Sequence, residues 1–144
     1  MTQSDPRLAE YRKWEGVDPW EEQSGPYYFQ KEENGHYRCA TITGRHSMNS
    51  EGRMHGGALM TFADYSLFVF ARDCLQGITA VTVSITVDFI GGGGEGQFLE
   101  STGEVVHETG TLIFARGKIF HDEQVLLAFS GVLKKMNPRV PTYT

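Results

Sequence analysis

Residues 54–66 read "MHGGALMTFADYS", and the fold turns on this stretch. Around it, from about His55 to Leu75, Ala58, Leu59, Met60, Phe62, Ala63, Leu67, Phe68, Val69, Phe70 and Ala71 are apolar nearly all round a helical wheel. A helix apolar on every face belongs inside a protein, so its polar members need a reason to be there. Two glycines cost about 1 kcal/mol each in a helix relative to Ala, but at a helix start they admit a ligand or another backbone. The first amides of a helix are unpaired and carry the positive end of its dipole, so a terminus built from His55, Gly56 and Gly57 can hold an oxyanion. Asp64, set among Phe62, Leu67 and Phe68, is costly as an unpartnered anion. It must reach a polar cavity, pair with a donor or titrate high. Plainer roles fit the same residues taken singly: a hydrogen-bonded Asp at an interface, glycines that allow tight packing, a histidine that ties loop to helix.

The spacing adds a constraint. Asp64 lies eight residues beyond Gly56, about 12 Å along the axis at ~1.5 Å per residue. An amide donor and a general base acting on one carbonyl must each come within roughly 3 Å of their own reacting atoms. The two groups of one chain can hardly share a substrate carbon. Two such helices packed antiparallel about a twofold axis would bring Gly56 of one chain beside Asp64 of the other, twice over.

Downstream of the helix the periodicity changes. In "AVTVSITVDFI", residues 80–90, apolar Val81, Val83, Ile85, Val87 and Phe89 alternate with Thr82, Ser84, Thr86 and Asp88, the mark of a strand with unlike faces. Three more strands are expected at "FLESTGEVVHE", "TLIFARGKIFH" and "QVLLAFSGVLKK", a meander separated by "TG" and "HDE" turns. Upstream, "YYFQKE" and "HYRCATIT" around "ENG" predict an antiparallel hairpin, followed by a polar loop "GRHSMNSEGR". A short helix is expected over 5–14, where Asp5 can cap and Pro6 suits the first position, then an irregular connector "GVDPWEEQSGP". "GGGGEG" at 91–96 lacks the following helix of a phosphate-cradling loop and is expected to be a flexible connection. The tail "MNPRVPTYT" has the composition of a loose terminus. One buried helix and a run of antiparallel strands define an α+β domain with a sheet curled around the helix.

The 144 residues suit one domain. A formal net charge of −5 argues against a surface built to neutralise nucleic-acid phosphates. The charged N-terminus is not a secretory signal and no apolar run reaches the ~18 residues a bilayer requires. A cytoplasmic protein without membrane or nucleic-acid partners is the expectation. Cys39 and Cys74 have no metal-type or redox spacing, and the five histidines show no HxH, HxxxH or HExxH pattern, so no metal is expected.

The stretch "NSEGRMHGGALMTFAD" resembles the N-x5-HGG-x6-D motif of hotdog-fold thioesterases, in particular their phenylacetate-degradation-type and human-type acyl-CoA thioesterase branch. The spacing matches from Asn49 through His55, Gly56 and Gly57 to Asp64. The resemblance spans roughly residues 25–136. It leaves 1–24 as an N-terminal extension and 137–144 as a C-terminal tail. It implies a hotdog fold, a homodimer with one continuous sheet, often paired again into a tetramer, and hydrolysis of an acyl-CoA thioester. CoA is then part of the substrate and no cofactor is needed.

By the same resemblance the Gly56 amide would polarise the thioester carbonyl, and Asp64 of the opposite subunit would serve as general base or nucleophile. Asn49 and His55 would hold water and thioester, and Thr82 would position the attacking water. The motif departs at "GGGGEG", where relatives carry a Pro-containing turn, and in the extension with Trp14 and Trp20, expected to pack on the sheet more than to cover an acyl pocket. Arg45, Arg53, Arg116 and Lys118 are candidate phosphate contacts, none assigned. A non-catalytic acyl-CoA binder or sensor is the alternative, and it would not require Asp64. A hydratase or dehydratase of the same fold would rely on a different acid/base pair.

Overall fold

The computed structural model describes residues 5–144. Six strands form one antiparallel sheet: β1 (Tyr27–Lys31), β2 (Tyr37–Ile42), β3 (Ile78–Phe89), β4 (Phe98–Glu108), β5 (Leu112–His121) and β6 (Gln124–Pro138). Their spatial order is β1-β2-β4-β5-β6-β3. The expected hairpin is β1–β2 and the expected meander is β4–β5–β6. β3 instead crosses to the far side of β6 and ends the sheet.

The central helix, α2 (Gly56–Phe70), lies across the sheet and buries Leu59, Phe62, Ala63, Tyr65, Ser66, Leu67, Val69 and Phe70. Each fully buried large apolar side chain of this kind contributes roughly 1.5–3 kcal/mol. Glycines set how closely the helix sits. Gly103 of β4 and Gly117 of β5 face each other in register, and a Cβ there would come within 2.4 and 2.7 Å of the Phe70 ring. Gly131 of β6 does the same for Leu67, at 2.4 Å. Side chains at these three positions would lift the helix off the sheet. Ser66 and Ser101, fully buried, join helix to β4 through a 2.6 Å hydrogen bond, and Ser66 Oγ also bonds the Phe62 carbonyl. No helix among the described residues is long and apolar enough to cross a membrane.

Several local expectations are corrected. The helix over 5–14 is only a 3-10 turn, Pro6–Leu8, with Asp5 accepting from the Arg7 amide. It cannot continue because Arg12 and Phe29 exchange two backbone hydrogen bonds of 2.8 Å, which holds the chain extended. Conversely, the supposed connector contains α1 (Pro19–Ser24), whose Asp18 caps the Glu21 amide, with Pro19 in its first turn and Glu21 and Glu22 at its positive end. The central helix stops at Phe70 instead of Leu75 and passes through Ala71 into a 3-10 turn, Arg72–Cys74. Residues 136–138 are not a loose terminus: β6 continues through Met136 and Asn137 to Pro138, opposite Ile78.

The glycine-rich connection 91–96 is pinned rather than free. Met54 N–H donates to the Gly93 carbonyl at 2.8 Å, Gly94 N–H to Gln97 Oε1 at 2.8 Å, and Thr43 Oγ1 to the Gly94 carbonyl at 2.5 Å. Gly93 is buried, and a Cβ there would press on Met54 at 3.2 Å. Close approach to the start of the central helix explains a small residue at that point.

Candidate active site

The loop before α2 is organised by Asn49. Its Oδ1 accepts from the Glu51 amide at 2.9 Å and the Arg53 amide at 3.1 Å. Backbone bonds from Asn49 to Arg53 and from His55 to the Ser47 carbonyl close the turn and aim the chain into the helix. The Asn49 oxygen is therefore engaged with its own loop; it shapes the approach to the helix start.

His55 is the N-cap. Its Nδ1 accepts the Gly57 N–H at 2.9 Å, which fixes the tautomer with the proton on Nε2, and the ring is exposed. With Gly57 satisfied and the Ala58 and Leu59 amides both bonded to the His55 carbonyl, the Gly56 amide has no hydrogen bond among the described residues. Gly56 is thus the open donor at the positive end of α2. A Cβ on Gly56 would stand 3.2 Å from the exposed Phe89 ring, so β3 and the helix start meet here.

Asp64, two turns further along α2, is half-buried. Thr82 Oγ1 of β3 donates to Asp64 Oδ1 at 2.6 Å, so the strand and the helix deliver the two predicted groups to one place. Oδ2 has no hydrogen-bond partner among the described residues. Asp64 and Thr82 line a cavity of about 630 Å³. Its far wall was not foreseen: Trp14 to Asp18 and Glu21 of the extension, and Arg139 to Tyr143 of the tail. Trp14 does pack, against Phe29 at 5.5 Å between centroids, but the same segment also roofs the cavity. The expectation favours packing over covering a pocket, and the segment does both. The hydroxyl of Tyr65, another lining residue, is buried without a hydrogen-bond partner among the described residues.

Glu21 is the group that sequence reasoning missed. It lines the Asp64 cavity, and its carboxyl is pushed up to about 7 by burial, then by the charge and hydrogen bonding of Asp18, then by the charge of Asp64. The Asp18-Pro19-x-Glu21-Glu22 pattern announces α1, but nothing in the order of residues links Glu21 to Asp64.

The structure separates the four cationic candidates. Arg116 and Lys118 alternate with Ala115 and Gly117, which face α2, so they lie on the outer face of the sheet; Arg116 pairs there with Glu104 at 2.8 Å. Arg53 stays beside the motif, its guanidinium close to Gly92. Arg45 sits in the 3-10 turn Arg45–Ser47. The Cys39 thiol is fully buried and pushed up to about 12, and burial likewise raises Cys74 to about 11. Neither is a nucleophile near neutrality.

The fold and this arrangement define a class, and comparison agrees. The thioesterase superfamily model matches residues 51–128, from the motif loop into β6, and the chain belongs to that family. Its fold is that of the hotdog thioesterases. It is similar to a hypothetical thioesterase from Streptococcus pneumoniae TIGR4 solved with coenzyme A, at 23% identity over 79% of this chain and 88% of that one, TM-score 0.69. A Bacillus halodurans protein solved with CoA gives 23% identity, 77% and 74% coverage and TM-score 0.70. A thioesterase from Haemophilus influenzae gives 13% identity, 84% and 85% coverage and TM-score 0.74. No curated protein matches.

Proposed function

We propose that this protein is an acyl-CoA thioesterase whose active site is completed by a second copy of the chain. The observation that carries the reading is the Asp64 carboxylate, held on Oδ1 by Thr82 at 2.6 Å inside a cavity. A carboxylate with one oxygen anchored and the other open is oriented to take a proton from water. The CoA carried by two of the structural relatives supports CoA as the thiol half of the substrate.

The chemistry then runs as follows. The thioester carbonyl oxygen rests on the Gly56 amide of one subunit, where the helix dipole favours the charge it gains. Water, oriented by Asp64 of the other subunit, attacks the carbonyl carbon, and its proton passes to Oδ2. Collapse of the tetrahedral intermediate breaks the C–S bond, and the proton returns to the departing sulfur. Free acid and CoA leave, with no cofactor consumed. His55 contributes by holding the Gly57 amide, which leaves Gly56 as the donor, and Asn49 by shaping the loop that delivers it. A shared site follows from distance: Gly56 and Asp64 of one α2 stand about 12 Å apart at ~1.5 Å per residue, too far for one carbonyl and one water. The motif spacing from Asn49 to Asp64 supports the phenylacetate-degradation-type branch, with dimers that pair into tetramers.

The test is thiol release from acyl-CoAs of graded length and aromaticity, with wild type beside Asp64→Asn. We expect turnover by the wild type and a loss of roughly 10²-fold or more in the variant with the fold intact. Tight binding without turnover by the wild type would make the protein an acyl-CoA binder instead. Near-normal turnover by Asp64→Asn would remove Asp64 as the base.

A further inference from the structure

The cavity that holds Asp64 contains a second carboxylate from an unexpected source. Glu21 sits on α1, in the extension outside the motif-bearing part of the chain, and lines the same space as Asp64 and Thr82. Its placement is not accidental to one rotamer: Asp18 caps α1 by accepting the Glu21 amide at 2.9 Å, which fixes the turn on which Glu21 stands.

The surroundings of Glu21 decide what it can do. Arg139 shares this cavity with Glu21 and Lys13 a neighbouring one, and these cations, like Arg72, are engaged elsewhere. Arg72 pairs with Glu15, Arg139 lies against the Trp14 ring at 5.8 Å, and Lys13 reaches over the Tyr28 ring at 5.8 Å. Glu22, on the same helix, is exposed. The phenol of Tyr27 donates to Ser24, and burial holds that of Tyr65, also on the cavity wall, in its neutral form. Glu15, on the same cavity wall, is neutralised by Arg72, and the charges that act on Glu21 are Asp18 on its own helix and Asp64 on α2, both negative.

We propose that Glu21 is a positioning residue for the hydrolysis: as an anion it opposes the anion of Asp64 across their shared cavity and so favours the step in which Asp64 accepts a proton from water. The inference rests on the thioesterase reading above. Its physics is an imbalance of distance. In that step negative charge leaves Asp64 and appears on the carbonyl oxygen, which is held by the other subunit's helix start. A charge closer to Asp64 than to that oxygen is relieved by the transfer. Neutral Glu21 gives no such relief. Because Glu21 changes charge around pH 7, turnover should rise there.

The experiment is the pH profile of kcat from pH 5 to 9 for wild type, Glu21→Gln, Glu21→Asp, Asp18→Asn and Asp64→Asn, each checked for native circular dichroism. We expect about a threefold rise through pH 7 in the wild type, the effect of roughly half a pKa unit of interaction. Glu21→Gln should remain on the lower plateau, and Glu21→Asp should keep a step. Asp18→Asn preserves the cap oxygen but removes a charge that raises Glu21, so its step should move to lower pH. A purely structural Glu21 would not respond in that way. An identical rise in Glu21→Gln would overturn the inference and place the ionisation elsewhere. Activity that ignores Asp64→Asn would instead overturn the thioesterase mechanism itself, so the two failures are separable.

Discussion

The two ends of the sheet are finished differently. At one end β1 is five residues long and is covered by the protein's own extension: Arg12 pairs with Phe29 in both directions, and Trp14 lies on the Phe29 ring. At the other end β3 runs twelve residues, pairs only with β6, and leaves Val81 and Val83 46% and 57% exposed. Phe89 and Ile90, at its end and just beyond it, are more than half exposed as well. Proteins blunt an exposed edge with short strands, charge or a covering segment, because an open, apolar edge recruits another chain. One edge here is closed by intramolecular means and the other is open. The open one is also the strand that carries Thr82 to Asp64, so the proposed interface and the proposed site share a strand.

The largest effect should come from spoiling the open edge. Val83→Glu places a carboxylate on an exposed surface that costs the isolated chain little, but it sets like charges near one another across a twofold contact. We expect sedimentation to show monomer in place of dimer and thioester hydrolysis to fall by roughly 10²-fold or more, comparable to loss of the base. A monomeric variant with full activity would refute the shared site.

A smaller, positive signal sharpens the same contrast. Asp64→Ala and Gly56→Leu should each be nearly inactive alone, the second because its side chain enters the space beside Phe89 and the open amide. Mixed in equal amounts with free subunit exchange, half the dimers are heterodimers, and each rebuilds one intact site of two. Recovery should approach about a quarter of wild-type activity. No recovery despite exchange, measured by tagging one variant, would confine Gly56 and Asp64 to one chain.

How much of this was legible beforehand differs along the chain. The central helix was readable because an all-round apolar run demanded burial, and its candidate site because His55, Gly56 and Asp64 were out of place in it. The strands from 78 onward announced themselves by alternation. The extension was misread for a local reason. Asp5-Pro6 and Asp18-Pro19 carry the same cap signal, but only the second has Glu21 and Glu22 in its first turn, while the first is overruled by the pairing of Arg12 with Phe29. Long-range pairing of that kind leaves no periodic trace in sequence. The same holds for β3 leaving the meander to border β6, and for Glu21 reaching the Asp64 cavity across 43 positions.

The covered edge yields the smallest effects, and their signs differ between two glutamates of the same extension. Glu15 is held down to about 2 by its hydrogen bonds to Arg72. Its folded-state pKa lies below the ordinary 4.5, so the pair stabilises above that pH and is lost as pH falls toward 2. Because the Glu15 side chain is 52% exposed, the contribution is screened to at most about 1 kcal/mol. Glu21 runs the other way. Its folded-state value of about 7 exceeds 4.5, so the folded state holds the proton more tightly and stability declines as pH climbs from 4.5 through 7. Thermal melts at pH 4, 6 and 8 separate the two. Glu15→Gln should lower Tm at pH 6 and 8 and have a diminishing effect toward pH 4. Glu21→Gln should match the wild type at pH 4 and exceed it at pH 8. Equal Tm for Glu21→Gln and wild type at pH 8 would mean that Glu21 is not confined with Asp18 and Asp64, and that the extension closes the β1 edge without reaching the cavity.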